Sequence, residues 1–165
     1  MAKEYPLEQL VIIKKKKLEE AERVLREKKE KLAQEQEKLK KIEKHRDEVK
    51  KHKQDKLTQL RKALDEGEKT AKLEQMRLYL KIVDEKLKQE EKKVADQIKQ
   101  VQKAEEEVEA ARQAMLKRQR DVEKLKEHSQ DWKKEMHLEL EREEAKEEDE
   151  TGSTRFIRNK RKKKE

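Results

Sequence analysis

The chain has 165 residues, of which 53% are charged, 30% hydrophobic and 2% aromatic, and its net charge is +8. A globular domain of this length is nearer a quarter charged and half apolar, so there is too little apolar material here for a compact core. Without cysteine there is no disulfide or thiolate metal site. The longest apolar run, Leu10–Ile13, is far short of the roughly 20 residues a membrane span needs.

Two classes remain: a disordered polyelectrolyte, or long helices that bury only a narrow seam. The abundant Lys, Glu, Leu, Gln, Ala and Arg are strong helix formers, and periodicity decides between the two. Residues 1–5 carry no pattern and are expected to be a flexible N-terminus. Pro6, the sole proline, suits the first turn of a helix, where its missing N–H has no partner anyway. The first helix is expected over 6–64. Along it Val11, Leu18, Leu25, Leu32 and Leu39 recur every seventh residue, then Arg46 and Lys53 interrupt the row before Leu60. The companion row mixes Ala21, Ile42, Val49 and Ala63 with Lys28, Glu35 and Lys56. Asp65, Glu66 and Gly67 mark a turn over 65–70, with Thr70 placed to cap the helix that follows.

The second helix, expected over 71–149, has the clearer period. Leu73, Leu80, Leu87, Val94, Val101, Val108, Met115 and Val122 keep the same step without a polar interruption. Three residues on, a mixed row contains Met76, Val83, Glu90, Gln97, Ala104, Ala111, Arg118, Leu125 and Trp132. A heptad held this long excludes disorder and predicts a left-handed supercoil. Gly152 then introduces 150–165, expected to be a flexible basic tail. Residues 139–150 hold eight acids and two bases, and 155–165 seven bases and one acid.

Neither helix can bury its stripe alone, and the short connection at Gly67 makes them antiparallel neighbours. The fold predicted is all-α: an elongated, antiparallel coiled-coil hairpin of two long helices. Folding about the turn makes paired positions sum to about 133, which sets Leu39 by Val94, Leu25 by Val108 and Val11 by Val122. At 1.5 Å per residue the helices span roughly 90 Å and 120 Å, so the second overhangs the first.

Chemistry is sparse. His45 and His52 share a helix face but make no ligand cluster, and a two-helix seam has no pocket in which to desolvate paired carboxylates. No phosphate loop or nucleophile set occurs, so neither enzyme, cofactor nor small-molecule substrate is expected. The basic runs Lys14–Lys17 and Arg158–Lys164 attract phosphates, but aromatic groups for base stacking are nearly absent. Apolar residues off the seam are more informative. Leu78, Tyr79 and Ile82 surround Leu80, and with Met76 and Val83 they make the start of the second helix apolar on more than one face. Either the core widens where the loop packs back, or a partner docks there.

Tyr5-Pro6-Leu7-Glu8-Gln9-Leu10, leading into Ile12-Ile13-Lys14-Lys15-Lys16, resembles the opening of type III secretion stalk proteins. So does Asp65-Glu66-Gly67 followed by Gln75-Met76 and Tyr79-Leu80-Lys81-Ile82-Val83. The chain is thereby similar to chlamydial-type members of the YscO/FliJ-like family over residues 5–150. That resemblance implies a coiled coil like the γ subunit of rotary ATPases, inserted by its terminal end into a hexameric ATPase ring and also touching the export gate; some members bind secretion chaperones. It implies a protein of the bacterial cytoplasm, peripheral to the secretion apparatus of the inner membrane; separately, the free chain is expected to be a monomer. Lys14, Lys15, Lys16 and Lys17 would face the ring, and Met76, Tyr79, Leu80 and Val83 fall in the segment of the gate contact. The competing function is a generic coiled-coil adaptor with a nucleic-acid-contacting tail.

Overall fold

In the computed structural model, which describes residues 4–164, the chain folds as two long helices, α1 (Glu8–Asp65) and α2 (Thr70–Lys164). They pack against each other as a helical hairpin. The connection is fixed by a C-cap. Gly67 N donates to the Leu64 carbonyl at 3.2 Å and Glu68 N to the Ala63 carbonyl at 3.1 Å, the paired bonds of a Schellman motif. The motif requires a left-handed residue, and Gly67 supplies it at φ 72°. The Lys69 carbonyl accepts from both Lys72 and Leu73 at 3.1 Å. Lys69 therefore occupies the N-cap and Thr70 the first helical position, so the Thr70 hydroxyl is not the cap that the sequence suggests.

The contacts of the two helices cluster into two units, one of Ala21–Ala114 and one of 4–20 with 115–164. In the first, Leu25, Val49 and Leu60 of α1 and Val83, Leu87, Val94, Val101 and Val108 of α2 are all buried. Ala104 and Ala111 are buried among them; small side chains in the companion row let the backbones approach. Leu32, Leu39, Leu73 and Leu80 are half-buried. Cross-helix polar contacts run antiparallel: His52 meets Tyr79, Lys53 meets Asp84, His45 meets Glu90, Glu35 meets Gln97 and Lys28 meets Glu107. In the second unit Val11 and Val122 are buried, with Leu18 and Met115 half-buried beside them. No side chain among the described residues is fully enclosed, as expected of a seam open to water on both sides.

Both termini differ from the expected boundaries. Of the expected flexible start, residues 1–3 lie outside the described residues, while Tyr5 is only 6% exposed. Its ring lies 5.6 Å from Trp132 and 5.7 Å from His128, and its hydroxyl bonds His128 Nδ1. Pro6 turns the chain into α1, with Glu8 N reaching the Tyr5 carbonyl at 3.1 Å. At the other end α2 runs through Gly152 to Lys164; only Glu165 of the expected tail lies outside the described residues. One exposed glycine costs a helix about 1 kcal/mol, which weakens it without stopping it, and φ at Gly152 is not positive. From His137 onward every described residue of α2 is exposed.

Candidate functional site

Apolar side chains at the start of α2 divide between two faces. Val83 is 4% exposed and belongs to the seam, with Met76 and Leu80 half-buried next to it. Leu78, Tyr79 and Ile82 point away and remain 59%, 43% and 63% exposed. Residues four apart lie on one helix face, so Leu78 and Ile82 form one apolar ridge and Tyr79 adjoins it. Beside the ridge a groove of about 360 Å³ is lined by Glu48, Val49 and His52 of α1 and by Tyr79, Ile82, Val83 and Lys86 of α2.

Tyr79 is anchored rather than loose. Its hydroxyl pairs with His52 Nε2 at 2.8 Å, the two rings meet edge to face at 5.9 Å, and Lys56 Nζ lies 5.5 Å from the ring centroid. Holding an exposed aromatic in one orientation lowers the entropy that a partner must otherwise remove on binding. His52 is a participant that periodicity does not reveal, because it belongs to neither apolar row.

The four lysines are not equivalent. Lys14 is half-buried beside the seam with its Nζ 3.8 Å from Asp121, whereas Lys15, Lys16 and Lys17 are exposed. Near them Ile12 and Ile13 are 41% and 48% exposed.

Charge also bridges the helices of Ala21–Ala114. Gln97 Nε2 donates to the Glu35 carboxylate at 2.6 Å and to its carbonyl at 3.0 Å. Lys53 donates to Asp84, and Lys28 to Glu107 at 3.3 Å. These hydrogen bonds are the leading cause of lowered pKa values at Glu35, Asp84 and Glu107. A carboxyl whose pKa is lower folded than unfolded stabilises the fold above its unfolded value, and that contribution disappears as pH falls through the folded one. The contribution of these bridges to the melting temperature, followed by circular dichroism, is therefore expected to be fully present above about pH 5 and to fall away below about pH 4. Combining Glu35→Gln, Asp84→Asn and Glu107→Gln should flatten the acid limb; an unchanged limb would count against these bridges.

Among the described residues there is no cluster of three metal-ligating side chains, and no helix is long and apolar enough to cross a membrane.

The family model described as YscO-like protein matches residues 2–162. The chain belongs to the YscO-like family. A solved structure, CT670 from Chlamydia trachomatis, described as a YscO homolog, is similar with a TM-score of 0.90 and 39% identity, over 97% of this chain and 99% of that one. No curated protein matches. This YscO-like chain is thus a type III secretion-related protein, of a family of secretion components rather than enzymes.

Proposed function

We propose that this YscO-like protein is the central stalk of a type III secretion ATPase complex in the bacterial cytoplasm, peripheral to the inner membrane. It couples a hexameric ATPase ring to the export gate and carries out no chemistry of its own. The observation that carries this reading is the family match over residues 2–162, combined with two separate surfaces suited to partners.

Lys15, Lys16 and Lys17, on the unit of 4–20 with 115–164, face acidic groups in the ring. The exposed ridge of Leu78 and Ile82 with Tyr79 takes the gate, and secretion chaperones are candidates for the same surface. The stalk binds asymmetrically inside the ring, favours one arrangement of the ATP sites, and passes that state on. A ligand shifts such an equilibrium only by its differential affinity for the two states.

The test is a pull-down with the cognate export ATPase together with an ATPase assay. Capture and an altered rate are expected, and reversing Lys15, Lys16 and Lys17 to glutamate should weaken capture about tenfold or more at low salt while helicity stays the same. Absence of both capture and rate change would sink the stalk reading. Strong salt-dependent RNA binding in its place would favour the adaptor.

A further inference from the structure

The exposed end of α2 holds an acidic block and a basic block that cannot pair with each other along one helix. Acids dominate 139–150 and bases dominate 155–165, with Thr151, Gly152, Ser153 and Thr154 between them. Ion pairs along a helix form between residues three or four apart, and the neutral spacer keeps the blocks beyond that reach. Glu147 and Arg158 are about 16 Å apart along the axis. Among the described residues no side chain from Arg142 to Lys164 forms an ion pair, not even Lys146, which lies three or four residues from Glu143, Asp149 and Glu150.

A groove along this helix is lined by Glu147, Glu150, Thr151, Thr154, Arg155 and Arg158. Read backwards, that order places a base opposite each acid and a threonine opposite each threonine. The pattern is complementary to itself under a two-fold axis between Gly152 and Ser153, as an isologous interface demands. We propose that the end of α2 is a self-association surface whose occupant is the same segment of a second copy of this chain, laid antiparallel across it. Glu147 then faces Arg158 of the second copy, Glu150 faces its Arg155, and Glu143 faces its Lys162, each pair occurring twice. Thr151 and Thr154 meet at the crossing, whereas Gly152 and Ser153 line a different groove with Phe156 and Ile157 and stay outside the pairing. An anionic bilayer or a nucleic acid would satisfy only the basic block and would repel the acidic one, so a second copy fits the whole surface better. The inference rests on this segment alone and is independent of the stalk reading; the expected monomer is the state at high salt.

Sedimentation of the full chain tests it. A concentration-dependent dimer is expected at about 0.01 M salt and a monomer at about 1 M, where charges are screened beyond about 3 Å. Glu147→Lys with Glu150→Lys should abolish self-association, and so should Arg155→Glu with Arg158→Glu. An equimolar mixture of the two variants should pair again, because each chain now supplies the charge the other lacks. A monomeric wild type at low salt, or a mixture that fails to pair, overturns the proposal. So does an unaltered dimer in both variants. Vesicles containing anionic lipid that bind the chain while it stays monomeric would also overturn it.

Discussion

Leu78→Asp combined with Ile82→Asp is expected to lower affinity for the proposed export-gate partner by at least about tenfold, equivalent to about 1.4 kcal/mol, while leaving the hairpin's stability within about 0.5 kcal/mol of the parent. Both side chains are more than half exposed and lie off the seam, so neither contributes appreciably to holding the helices together. Their value would lie in a partner's desolvated pocket, where a carboxylate is poorly tolerated. Val83→Asp is the contrasting control. Val83 is 4% exposed, and an unpaired charge there should unfold the pairing around it. Tyr79 is a less clean probe than its exposure suggests, because removing it also removes the contact with His52. Gate affinity unaltered by the double variant would sink the docking role. A lowered melting temperature would mean that the ridge is part of a wider core.

Glu90→Leu should stabilise the hairpin by about 1–3 kcal/mol, read as a higher midpoint in denaturant. Glu90 sits in the companion row of α2 between Val83 and Gln97, and only 4% of it is exposed. Its carboxylate is met by His45 Nε2 at 3.5 Å and by Lys93 Nζ at 3.2 Å, both on exposed side chains. A charge taken out of water is often not repaid by its partners, so leucine is expected to gain on both desolvation and packing. The expected cost is specificity. A polar group at one seam position selects register and partner number in coiled coils, so the variant should self-associate through its seam at high salt, where pairing through the end of α2 is screened. A lower midpoint would show that Glu90 is a net stabiliser.

Long-range regularity was legible in the sequence, and single contacts were not. The row from Leu73 to Val122 and its companion to Trp132 are all buried or half-buried in the structure, because a seven-residue period is a property of the chain itself. The turn was equally readable, since Gly67 fills a position that few other residues tolerate. Tyr5 escaped notice because its burial depends on His128 and Trp132, 123 and more residues away, and no local pattern records such a meeting. Gly152 misled in the opposite direction: a glycine weakens a helix, but its neighbours decide whether the helix ends. The division of the apolar group near Tyr79 into seam and ridge follows from the 3.6-residue turn. Which face would remain uncovered depended on the position of α1.

The antiparallel pairing also dictates an order of assembly. Contacts near the turn join residues close in sequence, 27 apart for His52 and Tyr79, whereas Tyr5 and His128 are 123 apart. Each doubling of the loop to be closed adds about 0.6 kcal/mol of chain entropy. Pairing therefore begins beside Gly67 and zips away from it, and on a ribosome α1 must wait, a helix without a partner, until the chain beyond Tyr79 has emerged.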